Sequence, residues 1–216
     1  MVHKSKVAVI GLGNIGTAIA TNLVKGNRSV IVADRTFQKA TALSSKLGAL
    51  SQPLEVAQAI KEADILVLAI WFDAIKELFK TYETDLPGKI IVDPSNPIAP
   101  APDGGFKKII DQYQSSGDIL LSLLPQGAKF AKALGTLSAE SLSKAAFQEP
   151  ERAVAFYATN DTDINADIEE LIRDNGFEPL RIGGINQSIR IEVFGDLHEY
   201  GALGKTVSLS EAQEKI

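Results

Sequence analysis

The chain has 216 residues, 45% of them hydrophobic, and a net charge of −5. This length and apolar share suit a globular domain with a real core. The acidic balance disfavours nucleic acid as a partner, and the lack of cysteine excludes disulfides, thiolate metal sites and cysteine nucleophiles. No apolar run approaches the roughly 18 residues of a membrane helix, and the first strand starts too early to leave room for a signal peptide. We therefore expect a cytoplasmic protein.

The first predicted elements surround a glycine-rich turn. An apolar run from Val7 to Ile10 leads into Gly11-Leu12-Gly13-Asn14-Ile15-Gly16, a G-x-G-x-x-G pattern, and helix-forming residues follow. Gly11 permits a sharp turn, Gly13 leaves the backbone open to a pyrophosphate, and Gly16 lets the helix pack closely on the strand. The free N–H groups and positive end of the helix would face the phosphates. These six residues are therefore predicted to bind a dinucleotide.

The second predicted strand ends at Asp34, about 20 positions after the glycines, where the adenosine ribose should lie. An acid at this position favours a free 2′-hydroxyl and hence NAD. Arg35, Thr36 and Lys39 would instead form a cluster for the 2′-phosphate of NADP if Asp34 points away from the ribose. Asp34 thus favours NAD, whereas Arg35, Thr36 and Lys39 favour NADP. We expect NADP, and NAD remains the alternative.

The remaining pattern alternates strands with helices and predicts a doubly wound α/β fold with a mostly parallel sheet. Strands are predicted near 6–10, 29–33, 64–70, 89–93, 128–134, 152–158 and 178–182. Helices are predicted near 14–25, 36–47, 54–61, 73–80, 105–114, 138–146 and 163–174. The apolar run 118–124 fits a buried strand or a short helix equally well. Residues 1–200 are expected to form one NAD(P)-binding domain, and residues 201–216 a C-terminal arm or a disordered tail.

Two further segments follow predicted strand ends, where open α/β sheets bind ligands. Either one of Trp71 and Phe72 lines a nicotinamide pocket, or the two pack under a loop. The loop from Asp93 to Gly105 contains Asn96 between two near prolines, with a donor and an acceptor that suit a carboxamide. The alternative for Asn96 is a turn residue.

Several segments read together resemble the deazaflavin-dependent NADP oxidoreductase family, a compact branch of the 6-phosphogluconate-dehydrogenase-like Rossmann proteins that is also similar to the N-terminal domain of pyrroline-5-carboxylate reductase. The resemblance covers about residues 6–200 in order. It is carried by the glycine turn and by the segments Ala33–Thr36, Ala63–Phe72, Ile91–Pro97, Leu124–Ala133, Ala155–Asp161 and Gly183–Ser188.

The resemblance implies a helix over Ile119–Leu124 and a strand over Lys129–Leu134. It also implies that Ala69, Ile70 and Trp71 lie over the ribose and nicotinamide side of the cofactor, with Asn96 and Pro97 beside the nicotinamide. Members of the family pass hydride directly between NADP(H) and a deazaflavin or flavin ring. No catalytic acid or base is then assigned, because the cofactors carry the chemistry.

Two alternatives remain at this stage. One is a reductase of small imines or carbonyl compounds completed by a partner subunit, and the other is a dinucleotide sensor without catalysis. His198 lies between Asp196 and Glu199, which indicates a solvated helix face more than a metal site. We expect a small-molecule or flavin-type substrate, no metal, no nucleic acid or membrane partner, and a homodimer if the chain self-associates.

Overall fold

The computed structural model describes residues 4–102 and 104–216. The strands in these ranges are β1 Val7–Ile10, β2 Val30–Ala33, β3 Ser51–Pro53, β4 Ile65–Leu68, β5 Ile90–Asp93, β6 Ile98–Pro100, β7 Phe106–Lys108, β8 Lys129–Ala133, β9 Val154–Thr159 and β10 Glu178–Arg181. The helices are α1 Asn14–Lys25, α2 Phe37–Leu47, α3 Val56–Glu62, α4 Phe72–Thr81, α5 Ser116–Leu123, α6 Ala139–Lys144, α7 Asn165–Asp174 and α8 Leu209–Gln213. Two 3₁₀ helices span Thr162–Ile164 and Ile185–Arg190.

The main sheet has the order β10-β9-β8-β5-β4-β1-β2-β3. The strands from β3 across to β8 are parallel, β9 runs antiparallel to β8, and β10 is parallel to β9. The chain leaves β1 for β2 on one side and later places β4 on the other. This reversal opens a crevice at the carboxyl ends of β1 and β4. The predicted doubly wound, mostly parallel fold is confirmed.

Both faces of the sheet are covered. Val7 and Val9 of β1 pack in one apolar cluster with Ile19 and Leu23 of α1. Their neighbours Ala8 and Ile10 point the other way, into a second cluster that includes residues of α3 and α4. Both faces of β1 are therefore buried, which explains why its sequence is an unbroken apolar run.

The helix predicted over 105–114 is wrong. Phe106–Lys108 form β7, which pairs antiparallel with β6 in a small hairpin. Gly104 and Gly105 have φ values of 94° and 75°, a left-handed backbone that turns the chain back on itself. Phe106, Ile109 and Tyr113 have helical spacing, but their side chains are exposed and do not pack as a helix face.

The ambiguous run 118–124 lies largely in α5, and the strand implied at 129–134 is β8, so the resemblance predicted both correctly. Ser115 begins α5 by accepting a hydrogen bond of 3.0 Å from the N–H of Asp118. Residue 103, within the predicted loop from Asp93 to Gly105, lies outside the described residues.

The segment 201–216 contains α8, which begins with a capping box between Ser208 and Glu211. Val207 is buried, and its carbonyl accepts a hydrogen bond of 2.8 Å from the N–H of Val154 at the start of β9. None of the helices in the described ranges has the length and apolar character needed to cross a membrane.

Candidate functional site

The glycine turn lies at the crevice and has the steric features predicted for it. Gly11 has a φ of 93°, and a Cβ there would overlap Ile70 of the loop after β4. A Cβ on Gly16 would overlap the Gly11 carbonyl oxygen, so helix and strand meet at van der Waals distance. A Cβ on Gly13 would meet nothing within 4 Å. Gly13 therefore faces open space, while the other two glycines are required by packing.

The N-terminus of α1 opens into the same space. Gly13 is its N-cap and supplies no side-chain hydrogen bond, and no acidic residue lies in the first turn. The first-turn N–H groups thus keep their hydrogen-bonding capacity for a ligand or water, and the first turn itself contains no acidic side chain that would compete for them. A turn with these properties fits a pyrophosphate.

Asp34 at the end of β2 is turned into the protein. Its Oδ2 accepts a hydrogen bond of 2.9 Å from the N–H of Leu12, and its Oδ1 accepts one of 3.0 Å from the N–H of Thr36. The carboxylate therefore braces the glycine turn and the start of α2. Arg35, Thr36 and Lys39 are all exposed at this point, as the NADP alternative requires.

The loop after β4 forms the next part of the crevice. Ala69 and Ile70 are half-buried and contact the glycine turn, since added Cβ atoms on Gly11 and Gly16 would meet them. Trp71 is the N-cap of α4 and is 59% exposed. Phe72, by contrast, is buried in the core. Of the two aromatic residues, only Trp71 is accessible to a ligand.

Asn96 and Pro97 follow β5, the next strand along this edge. The Asn96 amide donates a hydrogen bond of 3.0 Å to the Gly135 carbonyl and accepts one of 2.7 Å from the Val193 N–H. It therefore links three separate segments, while one N–H and one lone pair stay available to a nicotinamide. Pro97 is buried, and its carbonyl accepts a hydrogen bond from Ile109.

A buried ionic cluster lies directly behind this loop, and sequence reasoning missed it. Lys132 of β8 is 1% exposed. Its ammonium group donates to Asp93 at 2.6 Å, to the Ser95 carbonyl at 2.5 Å and to the Ser116 hydroxyl at 2.9 Å. The cluster thereby joins the ends of β5 and β8 to the start of α5.

The second carboxylate of the cluster belongs to Glu192, which is 1% exposed and lies 4.0 Å from the Lys132 ammonium. It accepts hydrogen bonds from the N–H groups of Ser116 and Gly117 and from the Ser116 hydroxyl, at 2.8–3.0 Å. A charged lysine in the small, apolar strand 129–133 is the one sequence signal for this cluster. Its partners are up to 76 positions apart along the chain.

His198 is buried rather than on a solvated helix face, so that interpretation is wrong. Its Nδ1 accepts a hydrogen bond of 3.0 Å from the Tyr200 N–H, which leaves Nε2 to donate to the Gly135 carbonyl at 3.1 Å. Burial lowers the pKa of His198 below its ordinary value, against the opposing effects of the Gly135 carbonyl and Glu199. Glu199 is buried too and accepts a hydrogen bond from the Ser138 N–H.

The parts follow one another along a single edge of the sheet. Arg35 lies after β2, the glycine turn after β1, Trp71 after β4 and Asn96 after β5. An extended dinucleotide lying across the crevice would meet its adenosine contacts first and its nicotinamide contacts last. This arrangement can bind such a ligand and orient its reactive ring toward Asn96 and the turn after Glu192.

Comparison with known proteins gives a consistent picture. Residues 6–97 match the family described as NADP oxidoreductase coenzyme F420-dependent. The F420-dependent NADP reductase of Methanothermobacter thermautotrophicus is 24% identical over 200 residues, covering 87% of this chain and 84% of that protein. A crystal structure of a hypothetical protein from Sinorhizobium meliloti superposes with a TM-score of 0.80 at 29% identity, covering 94% and 95% of the two chains.

A rat relative is much longer. Metalloreductase STEAP3 of Rattus norvegicus is 27% identical over 187 residues, covering 87% of this chain but 36% of that protein. The chain likewise spans 38% and 25% of two Pyrobaculum glutamyl-tRNA reductases. The chain therefore corresponds to only a part of several proteins that it resembles.

Proposed function

We propose that the chain, whose residues 6–97 match the F420-dependent NADP oxidoreductase family, is an oxidoreductase that transfers hydride between NADP(H) and a deazaflavin- or flavin-type ring. The observation that carries the proposal is the open space at Gly13, bounded by the uncapped N-terminus of α1. Residues 1–200 would form the NAD(P)-binding domain, and residues 201–216 its C-terminal arm.

The cofactor choice rests on the orientation of Asp34. Asp34 is buried, and each of its oxygens accepts one backbone hydrogen bond, from the N–H groups of Leu12 and Thr36, so the carboxylate is turned toward the glycine turn. Arg35 and Lys39 are exposed beside it and supply positive charge for a 2′-phosphate. This arrangement supports NADP over NAD.

When bound, the dinucleotide would supply the hydride from C4 of its reduced nicotinamide, the acceptor ring would accept it, and a proton from water would complete the reduction of that ring. The residues of the chain would bind and orient the dinucleotide: α1 would hold the pyrophosphate, Arg35 the 2′-phosphate, and Asn96 the nicotinamide side. No side chain need gain or lose a proton in the transfer, so orientation is the main contribution of the protein.

One assay set tests the proposal. NADPH and NADH oxidation is measured with a 5-deazaflavin, flavin mononucleotide, a quinone, a ferric chelate and a cyclic imine. Turnover with a ring acceptor, a preference for NADPH and a deuterium isotope effect with 4-deuterated NADPH are expected. Turnover with the imine alone would favour the reductase alternative. NADPH binding without turnover on any acceptor would favour a sensor.

A further inference from the structure

Two exposed aromatic side chains belong to the segment that is hydrogen-bonded to Asn96 and Gly135. Phe194 is 56% exposed and Tyr200 is 62% exposed, although both belong to a segment whose neighbours Leu197 and His198 are buried. Their backbones are packed together: a Cβ on Gly201 would overlap the Gly195 carbonyl and come within 3.0 Å of the Phe194 carbonyl carbon. The two rings therefore emerge from adjoining turns.

The backbone of Phe194 is strained. The Gly195 N–H donates a hydrogen bond of 2.8 Å to the Glu192 carbonyl, which closes a four-residue turn, and Phe194 has a φ of 71° at its third position. Turns of this kind take glycine or asparagine there, because a larger side chain is strained at positive φ. Phe194 carries this strain without burying its ring. Strain of this sort is concentrated at ligand sites.

The turn is held rigidly on the nicotinamide side. Glu192, its first residue, is fixed by the buried cluster around Lys132. Val193, its second residue, donates to Asn96. The second turn is fixed to the same place, since His198 and Asn96 both donate to the Gly135 carbonyl. The two rings are thus presented from a framework that also contains the residue expected beside the nicotinamide.

We propose that Phe194 and Tyr200 form the binding surface for the flat ring of the hydride acceptor. This inference rests on the proposed function and adds the subsite at which the second ring binds. A planar ring can recover apolar and stacking contacts from both aromatic side chains, which water cannot provide. It would lie at the Asn96 end of the crevice, opposite the adenosine contacts, as direct transfer between two rings requires.

The test is a binding experiment in which no transfer occurs. Protein saturated with NADP⁺ is titrated with oxidised 5-deazariboflavin or riboflavin, rings that have no phosphate tail, and ligand fluorescence is followed. Phe194→Asn keeps the left-handed backbone and removes the ring, and we expect about tenfold weaker binding. Phe194→Tyr keeps the ring and should bind as the natural chain does. Tyr200→Ala should weaken binding, and Tyr200→Phe should not.

Phe194→Asn should lower the affinity for the ring without lowering the stability of the fold. Phe194→Asn relieves strain, so its thermal midpoint should be unchanged or higher by about 2–4 °C, and its NADPH affinity should be unchanged. Leu123→Ala removes an apolar side chain that is 49% exposed at the other end of α5, and it should leave ring binding unaltered.

Three outcomes would overturn the proposal. One is equal ring binding by Phe194→Asn and the natural chain, and another is an equal loss in Leu123→Ala. The third is a change in the molar mass of Phe194→Asn in light scattering while ring binding stays intact, which would assign the two rings to a contact between copies. Failure of the proposed function is distinguishable, because it would appear as no turnover in the natural chain with any acceptor.

Discussion

The two ends of the candidate site differ in how far their polar groups are paired within the protein. At the Gly13 end, where we propose that the phosphates bind, the protein leaves space and unused donors: Gly13 faces an opening, and α1 has no side-chain cap. At the Asn96 end, the proposed nicotinamide side, the charged groups behind the loop are paired inside the protein, through Lys132, Asp93 and Glu192. A ligand would pair with the unused donors of the first region, whereas the charged groups of the second region are already paired with each other. Substitutions in the first region should therefore weaken ligand binding with little effect on stability. Substitutions in the second region should destabilise the fold.

The largest effect should come from Lys132→Met. The change leaves two buried carboxylates without their cation, and breaking a buried pair in this way costs about 3–5 kcal/mol of unfolding free energy. Urea unfolding followed by circular dichroism measures it. Lys144→Met removes an exposed lysine whose partner Glu140 lies one helical turn away, and it should leave the urea midpoint nearly unchanged. Equal midpoints in the two variants would contradict the contrast between the two ends.

Gly13→Val tests the open end. The valine side chain would occupy the space in front of α1 and displace a pyrophosphate, and the loss of one or two charge-assisted hydrogen bonds weakens NADPH binding about 100-fold. Unfolding should change little, because φ at Gly13 is −76° and no atom lies in the way. Gly16→Ala is the matched variant and should lower stability, since its Cβ would overlap Gly11. Fluorescence titration and urea unfolding give both quantities.

The same contrast explains what could be predicted from the sequence. The glycine turn, α1 and β2 follow one another along the chain, so their spacing carries the information. The steric roles of Gly11 and Gly16 were predicted from this pattern and confirmed. The Lys132 cluster joins four segments whose positions become neighbours only after folding, and no local pattern announces such an arrangement.

The wrong helix prediction at 105–114 has a local cause. Gly104 and Gly105 turn the chain into a hairpin, although Phe106, Ile109 and Tyr113 have the spacing of an apolar helix face. His198 was misjudged for the opposite reason. Its flanking carboxylates suggested solvent, whereas its two ring nitrogens are used by the backbone.

A smaller effect on affinity is expected from a substitution at the residue proposed to select NADP, Arg35. Arg35→Ala should weaken NADPH binding about tenfold and leave NADH nearly unchanged, because a charge-assisted hydrogen bond to the 2′-phosphate is worth about 1.5–3 kcal/mol. Lys46→Ala replaces an exposed lysine in the last turn of α2, the helix that begins two residues after Arg35; it is the control and should alter neither affinity. A similar loss for NADH and NADPH would mean that Arg35 stacks on the adenine or is structural, and the NADP assignment would lose its support.

The smallest expected effect is the pH dependence that His198 gives to the unfolding free energy. Burial lowers the pKa of His198 in the folded chain, so the unfolded chain binds a proton more readily as the pH falls. The contribution of neutral His198 to stability is complete above about pH 6.5, its unfolded value, and is lost as the pH falls through the lower folded value. His198→Gln retains an N–H for the Gly135 carbonyl but cannot titrate. Its unfolding free energy should therefore decrease less than that of the natural chain between pH 7.5 and 5.5, a window above the usual range of carboxylates. An equal decrease in the two proteins would mean that His198 binds a proton equally well in the folded and the unfolded chain, and the inferred effect of burial on its pKa would then be wrong.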